Sequence, residues 1–389
     1  MYEVEITRRF QHRALKDGRL LSFVGAGAYH HHIPVPVSLQ SNPFTTSTVG
    51  ENASRQAGGL AQQLSNLTAM SATRCAGGDL ITATAKGIEI IQNALKRRKT
   101  NRILIASTVN PYYRKAIGTR LKHQGLDLAI VHYDEDAGTV GVDQLSRIDR
   151  KSADVLIIQY PNFFGVIEAA DEISDWAFSQ DIPLITVINP LALGVLKAPG
   201  SWGKRGAEMA VYDIQTLGLP ASLSGSVAGF VSIKRRLANK LTDDIESTLS
   251  ALEMQQLDNW MLARAETFLN YQGDIGLSRI AQQCARNLKQ LENRLLENPL
   301  LSARFAGKRF HECVIEFDQV NLPAVSSLCA QHGFQIGHPL ESEYHELGRC
   351  VLFNATEAHL DADIEAMVGE LSKVIELQSR AGCLAAAKF

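Results

Sequence analysis

The chain has 389 residues, with 39 Lys and Arg against 41 Asp and Glu, and 45% of its residues are apolar. This composition is typical of a globular protein, and at ~100–200 residues per domain the length predicts two domains rather than one small module. The net charge of −2 offers no basic face for nucleic acid or for an anionic membrane surface, so neither is an expected partner.

The first residues, MYEVEITRRFQHRALKDG, alternate charged and apolar side chains and lack the apolar core of a secretory signal. No stretch reaches the ~20 apolar residues that a bilayer-spanning helix needs. The six cysteines are scattered without a Cys-x-x-Cys pair, which indicates neither a zinc ribbon nor a redox dithiol. We therefore expect a cytoplasmic protein with reduced cysteines.

Six short apolar runs alternate with helical stretches between residues 101 and 234. Because the runs are continuously apolar, we expect them to be buried on both faces of a mostly parallel sheet. The runs are RILIAS (Arg102–Ser107), LAIVHY (Leu128–Tyr133), DVLIIQY (Asp154–Tyr160), PLITVIN (Pro183–Asn189), MAVYDI (Met209–Ile214) and GFVSIK (Gly229–Lys234). This rhythm predicts a doubly wound α/β domain, with helices over Tyr112–Gln124 and Asp171–Gln180 among its connections.

The pattern changes after Lys234 to long amphipathic helices, Leu237–Met261 and Leu277–Glu297. A further strand, helix, strand and helix are predicted at Glu312–Asp318, Leu322–His332, Cys350–Thr356 and Leu360–Ile375. The predicted organisation is an N-terminal segment over residues 1–45, a large α/β domain over 46–240, connecting helices over 241–300, and a small α+β C-terminal domain over 301–389.

The segment SFVGAGAYHHHIP carries Gly25, Gly27, Tyr29 and three histidines, His30–His32. Its two glycines lack the third glycine and the later acidic residue of a dinucleotide fingerprint. Adjacent histidines point in different directions on a strand or a helix, so one metal ion would need ligands from elsewhere. We expect no metal site and treat the histidines as ordinary hydrogen-bonded residues at a bend.

The segment YPNFFGVIE places Asn162 and Phe163 directly after a buried strand, at the sheet edge where α/β proteins build their sites. Asn162 is either a donor and acceptor for a bound group or a turn residue after Pro161. Two later segments, VINPLALG and YDIQTLGLPASLSGSVAG, follow the next strands. Their glycines, Gly218, Gly225 and Gly229, permit tight turns and indicate a glycine-rich loop.

Taken in order, these segments resemble the glycine cleavage system P-protein (glycine decarboxylase), specifically the N-terminal half that some bacteria make as a separate subunit 1. FVGAGAYHHHIP is similar to that family's FLGAGAYDHYIP, and YPNFFGVIE to its TPNFFGVIE. Weaker matches are STVNPYYRKAI, NPLALGVLKAPGSWG, YDIQTLGLPASLSG and FNATEAHLDADIEAMV. The resemblance implies the fold type I architecture of pyridoxal-phosphate (PLP) transferases, aspartate aminotransferase-like, with a mostly parallel large domain and a small α+β domain.

The resemblance also indicates which residues replace the PLP machinery. The lysine that would form the Schiff base corresponds to Gln215, and the aspartate that would hold the pyridinium nitrogen corresponds to Asn189. We therefore expect no catalytic and no cofactor-binding residues on this chain. A vestigial site would be lined by residues of the matching motifs, namely Gly25, Gly27, Tyr29, His31, Asn162, Phe163, Asn189 and Gln215.

By resemblance, the partners are a PLP-bearing subunit 2, which decarboxylates glycine, and a lipoyl H-protein, which receives the aminomethyl group. The family's YTPYQPEISQG loop is replaced here by FTTSTVGENASRQAG (Phe44–Gly58), and its MYDGGTA segment by CAGGDLI (Cys75–Ile81). These departures leave an alternative, a homodimeric pseudoenzyme without PLP that has a scaffold or regulatory role. A self-sufficient PLP enzyme is a third possibility that Gln215 disfavours.

Overall fold

The structure is a computed structural model that describes residues 20–34, 51–94, 100–148, 153–221, 228–239 and 259–386. In these residues the strands are β1 (Leu21–Ser22), β2 (Ala72–Gly77), β3 (Arg102–Ala106), β4 (Asp127–Val131), β5 (Val155–Tyr160), β6 (Leu184–Ile188), β7 (Met209–Asp213), β8 (Gly229–Ile233), β9 (Leu301–Ala303), β10 (Glu312–Phe317), β11 (Phe334–Gln335), β12 (His338–Pro339) and β13 (Cys350–Asn354). The α-helices are α1 (Glu51–Thr68), α2 (Leu80–Ala94), α3 (Pro111–His123), α4 (Val142–Ser146), α5 (Ala170–Ser179), α6 (Arg235–Ala238), α7 (Asn259–Leu295), α8 (Leu322–Gln331) and α9 (Asp361–Ala386).

The described chain divides into two compact units. The larger unit contains the described residues from Gly27 to Ala285, together with Phe305–Phe310. The smaller unit contains residues 20–26, Arg286–Arg304 and 311–386. The four-part division at residues 45, 240 and 300 stays a prediction, and two of those boundaries, 45 and 240, lie outside the described residues.

A seven-stranded sheet in the order β2-β8-β7-β6-β5-β3-β4 forms the centre of the larger unit. The strands from β4 to β7 pair in parallel, and β8 pairs antiparallel with both β7 and β2. All five residues of β6 are buried, as continuous apolar composition requires in a sheet that is covered on both faces. The mostly parallel α/β architecture is therefore confirmed, and each of the six apolar runs forms a strand. Burial on both faces is confirmed for five of them but was wrong for β4, which is an edge strand and leaves Ile130 47% exposed.

The two predicted connecting helices are present as α3 and α5, each shifted by one residue from its expected start and end. Asn110 begins α3, because its side chain accepts a hydrogen bond from Tyr112 N at 3.0 Å. After the helices the chain turns through left-handed residues, Gly125 with φ of 73° and Asp181 with φ of 55°. The Asn110 cap thus explains where α3 begins, and the left-handed residues explain how the chain turns away after both helices.

Strand β2 is absent from the predicted elements, because its sequence ATRCAG has no β-branched run. A chain of buried hydroxyl groups holds it against its neighbour. Thr73 Oγ1 lies 2.8 Å from Ser65 Oγ and 2.7 Å from Ser232 Oγ, and the Tyr212 hydroxyl lies 2.6 Å from Ser232 Oγ. Burial raises the pKa of Tyr212, so its hydroxyl group stays neutral. Each buried hydroxyl in the row therefore has a hydrogen-bond partner.

The smaller unit contains a four-stranded antiparallel sheet in the order β12-β13-β10-β9, plus the short parallel pair of β1 and β11. The predicted strands at β10 and β13 and the predicted helices α8 and α9 are confirmed, and α9 continues beyond Ile375 to Ala386. Stacked Phe317 and Phe353, with ring centroids 6.2 Å apart, lie in the core between this sheet and its helices.

The predicted helix Leu277–Glu297 forms part of α7, which bends at Gly273 with φ of 56°. Most of the other predicted helix, Leu237–Met261, lies outside the described residues. No helix of the described chain is long and apolar enough to cross a membrane.

The structure corrects one expectation for the segment Phe44–Gly58, which was predicted to be a loop. From Glu51 onward it forms the first turns of α1, while residues 44–50 lie outside the described chain. The segment contains no proline, and its alanine, glutamine and arginine residues favour a helix.

We predict that Thr73→Val destabilises the protein by about 2 kcal/mol, because it removes the shared partner of two buried hydroxyl groups. The matched control is Thr186→Val in β6, where the buried hydroxyl makes a single contact of 3.5 Å and the expected loss is small. Urea unfolding of both variants measures the difference, and equal losses would contradict the role of the hydroxyl chain.

Candidate functional site

The carboxyl ends of the parallel strands bring most of the sequence-predicted residues to one edge of the large sheet. Asn162 follows β5, Asn189 follows β6, and Gln215 follows β7 within two residues. Strand β2 ends at the same edge, because Gly77 and Asp213 both pair with Gly229 of β8. This edge is where open α/β sheets bind ligands.

The Gln215 side chain is held by the backbone of Tyr29. Its Nε2 donates to the Tyr29 carbonyl at 2.9 Å, and its Oε1 accepts from Tyr29 N at 3.3 Å. Nε2 also lies 3.2 Å from the Leu219 carbonyl, and the residue is 2% exposed. The Gln215 amide therefore bonds to the N–H and the C=O of Tyr29, as a second backbone amide would.

Asn189 serves as a cap and a cross-link. Its Oδ1 accepts hydrogen bonds from Leu191 N and from Thr216 Oγ1, each at 3.1 Å. The first bond begins the short 3₁₀ helix Pro190–Gly194, and the second connects the segments after β6 and β7. A neutral amide is sufficient for these two bonds, because each needs only an acceptor.

Asn162 is a structural residue of a buried turn. Its Oδ1 accepts from Phe164 N and Val166 N, both at 3.0 Å, and its Nδ2 donates to the Gly138 carbonyl at 2.8 Å. Phe163 is 1% exposed, and its backbone N–H donates to the Thr108 carbonyl. Of the two interpretations that the sequence left open, the geometry favours the turn residue.

Glu168 is the residue of this motif that sequence reasoning missed. Its Oε1 accepts from Thr108 Oγ1 at 2.8 Å and from Asn162 Nδ2 at 2.9 Å, and its Oε2 accepts from Val140 N at 2.9 Å. Burial raises the pKa of this carboxyl group to about 7, against the opposing effect of its three hydrogen bonds. The signal available in the sequence was an acidic residue at the end of the otherwise apolar FFGVIE.

Gly27 lies where the chain passes close to helix α3. Its φ is 107°, and a Cβ at this position would lie 2.9 Å from the Tyr113 hydroxyl and 3.0 Å from Asn110 Nδ2. Only glycine suits both this backbone conformation and this spacing. Tyr29 and His31 are buried in the same unit, whereas Gly25 belongs to the smaller unit.

Asp79 occupies the N-terminus of α2, immediately after β2 and so at the same sheet edge. Its Oδ1 accepts from Thr82 N at 2.6 Å, and its Oδ2 accepts from Thr82 Oγ1 at 3.1 Å. A helix N-terminus is the usual place for a phosphate group. Here the carboxylate of the chain itself takes that position, and its negative charge disfavours a second anion.

Comparison with known proteins identifies the family of this chain. The model of the glycine cleavage system P-protein family matches residues 1–245. This chain belongs to the glycine cleavage system P-protein family. Two relatives named probable glycine dehydrogenase (decarboxylating) subunit 1 extend the match: that of Nitrosospira multiformis is 34% identical and covers 96% of this chain and 89% of its own. The relative from Nitrosomonas europaea is 33% identical, and the match covers 93% of this chain and 86% of the relative.

Solved structures show the fold of this P-protein family member. A glycine decarboxylase (P-protein) in inhibitor-bound form aligns with a TM-score of 0.80 at 23% identity, over 96% of this chain and 90% of that chain. Sphingosine-1-phosphate lyase from Burkholderia pseudomallei aligns with a TM-score of 0.73 at 14% identity, over 100% of this chain and 94% of the lyase chain. The expected PLP fold type I architecture is confirmed.

Fold type I implies PLP, but the residues that the structure describes at the sheet edge do not fit this group. PLP needs a lysine amine for its imine and a site for its phosphate anion. The amide of Gln215 bonds to the backbone of Tyr29, and Asp79 takes the N-terminus of α2. Lys197 pairs with Asp171 at 2.7 Å, and Lys234 follows β8, which ends at the opposite edge of the sheet.

We predict that Glu168→Gln removes part of the pH dependence of stability. Because the folded pKa of Glu168 is raised, its contribution is fully present below the unfolded pKa near 4.5 and is lost as the pH rises through about 7. The stability of the wild type relative to Glu168→Gln should fall by about 2.5 kcal/mol between pH 5 and pH 8. Urea unfolding at several pH values measures this, and a constant difference would contradict the assignment.

A second prediction concerns the Gln215 amide. Gln215→Met keeps the side-chain volume but removes the partner of two backbone groups of Tyr29, so we expect a loss of about 2–3 kcal/mol. Gln331→Met, at an exposed position in α8, is the control and should change stability by less than about 0.5 kcal/mol. Similar values for the two variants would show that the Gln215 bonds contribute little.

Proposed function

We propose that this chain is the subunit of a two-subunit glycine dehydrogenase (decarboxylating) that carries no PLP. In this proposal the partner subunit holds PLP and decarboxylates glycine, and a lipoyl H-protein accepts the aminomethyl group. The observation that carries the proposal is the Gln215 amide, which bonds to Tyr29 at the position where the family resemblance expects the imine-forming lysine.

The charge pattern of the sheet edge supports the same reading. Asp79 brings a carboxylate to the end of α2, and Asn189 brings a neutral amide to the end of β6. The Asp79 carboxylate disfavours an anionic phosphate, and Asn189 offers no carboxylate to a protonated ring nitrogen. Asp79 instead bonds to Thr82, and Asn189 bonds to Leu191 and Thr216, so both side chains stabilise local structure.

The contribution of the chain would then be to complete a shared site by pairing. The buried turn around Asn162, the Gln215 bonds and the close approach at Gly27 hold the segments beneath the sheet edge in one arrangement. A rigid, preorganised surface loses little conformational entropy when a partner binds. An obligate interface of this kind should bury more than ~2,000 Å² and be largely apolar.

Reconstitution with the cognate PLP-bearing subunit tests the proposal. We expect the two chains to co-purify as a stable complex and the release of CO₂ from glycine to depend on both. Gln215→Lys should not increase the activity of the complex, and it should not give this chain alone any decarboxylase activity. Asp79 still disfavours the phosphate of PLP in this variant, and Asn189 still provides no carboxylate for the ring nitrogen.

The control uses Gln331→Lys, which adds the same charge at an exposed site. Failure to co-purify, with undiminished glycine decarboxylation when this chain is omitted, would contradict the proposal. A stable homodimer with no effect on glycine turnover would favour the scaffold alternative.

A further inference from the structure

Strand β4 forms one edge of the seven-stranded sheet, and within the described chain it pairs only with β3. The Asp127 N–H donates to the carbonyl just before β3 at 2.7 Å, and the Val131 carbonyl accepts from the N–H just after β3 at 2.8 Å. Because the backbone groups of a parallel strand alternate in direction, Leu128 and Ile130 point their N–H and C=O groups away from β3. These four groups have no hydrogen bond to another described residue.

This strand lacks the usual protections of a sheet edge. An edge strand is normally shielded by lysine, by proline or by a bulge. The sequence DLAIV contains neither lysine nor proline, its register with β3 is regular over all five residues, and Ile130 is exposed. The outer edge of β4 therefore offers backbone donors and acceptors beside an exposed apolar side chain, which is what the addition of another strand requires.

The side chains of Leu128 and Ile130 lie on the face of the sheet that carries helix α3. A Cβ added to Gly118 of that helix would lie 3.2 Å from Leu128 Cδ2, so α3 packs directly on β4. Successive side chains of a strand alternate between its two faces, so Ile130 shares this face and the exposed Asp127 lies on the other. One row of side chains of an added strand would therefore lie beside Ile130 and α3.

Helix α3 carries two lysines on the side that contacts β4. Lys115 precedes Gly118 by three residues and Lys122 follows it by four, so all three lie on one side of the helix. Both lysines are exposed, and within the described chain neither ammonium group has an ion partner. Helix α3 contains no acidic residue at all. The surface next to the outer edge of β4 is therefore basic.

This charge decides which kind of strand suits the edge. A second copy of β4 would pair antiparallel about a twofold axis perpendicular to the sheet. That arrangement would place two α3 helices side by side on one face, with lysines near lysines, and like charges so close together oppose association. A strand with acidic side chains on this face gains favourable charge pairs instead.

We propose that the outer edge of β4 binds an extended acidic segment of a partner protein by β-strand addition. Lys115 and Lys122 are about 10 Å apart along the helix axis. Side chains on one face of a strand repeat every two residues, so the nearest match is two acidic residues four positions apart, about 13 Å. An apolar residue midway between them would contact Ile130. The proposal goes beyond the function proposed above and does not depend on it.

The test uses the full chain and three fluorescein-labelled peptides of ten residues, each otherwise made of threonine and serine. The first carries two glutamates four positions apart with a valine midway, and the second replaces both glutamates with lysine. The third is the first peptide with N-methyl groups on the valine and its two neighbours, which removes backbone donors and keeps the charge. In low-salt buffer we expect saturable binding of the first peptide, seen as a rise in fluorescence anisotropy, and about tenfold weaker binding of the other two.

Two pairs of variants locate the binding. Lys115→Glu reverses a charge beside β4, and Lys308→Glu makes the same change at an exposed position elsewhere in the larger unit. Ile130→Thr removes apolar contact but keeps a β-branched side chain, and Ile275→Thr makes the same change at an exposed position of α7. We expect Lys115→Glu to weaken binding of the first peptide by about tenfold and Ile130→Thr by about threefold, and the controls to leave it unchanged.

Circular dichroism and thermal unfolding would confirm that all four variants fold. Equal binding of the glutamate and lysine peptides, or equal effects of each β4 variant and its control, would overturn the proposal. So would undiminished binding of the N-methylated peptide, because it would show a charge contact without strand pairing. Displacement of the first peptide by a stoichiometric single-stranded oligonucleotide would assign the lysines to a nucleic acid instead. Self-association of the wild type that Ile130→Thr weakens and Ile275→Thr does not would assign the edge to a second copy of the chain, contrary to the proposal.

Discussion

The hydrogen bonds between the Gln215 side chain and the backbone of Tyr29 occupy the position where a PLP enzyme of this family would need its lysine. They join the segment after β7 to the N-terminal GAGAY segment, two parts of the chain 186 residues apart. An amide satisfies both the N–H and the C=O of Tyr29, whereas an ammonium group has no acceptor for the former. The side chain at position 215 therefore stabilises the fold of this chain and cannot form an imine.

Other polar residues at the same sheet edge follow this pattern. Asn162 bonds to Glu168 and to the backbone of the buried FFG turn, Glu168 accepts from Val140 N, and Asn189 caps a short 3₁₀ helix. Buried polar groups are costly unless they are paired, so a network in which each member has partners stabilises one conformation. The side chains of Asn162, Asn189 and Gln215 at this edge therefore use their polar atoms for bonds within the chain.

The sequence alone predicted the parallel strands, because continuous apolar runs have few alternatives in an α/β protein. It did not predict β2, whose stability comes from hydroxyl contacts between residues as distant as Thr73 and Ser232. It identified Asn162, Asn189 and Gln215 through their motifs but not the partners of these residues. Glu168 and Asp79 were missed because their environments arise only when separate segments meet at the sheet edge.

Equilibrium dialysis of the purified chain, alone, against PLP distinguishes a chain without the cofactor from a PLP enzyme. Borohydride reduction and peptide mass spectrometry would follow, with the cognate PLP-bearing subunit as the positive control. We expect no saturable PLP binding to this chain and no modified lysine in the larger unit, and one modified lysine in the control. Stoichiometric binding and a single reduced lysine adduct on this chain would contradict this expectation.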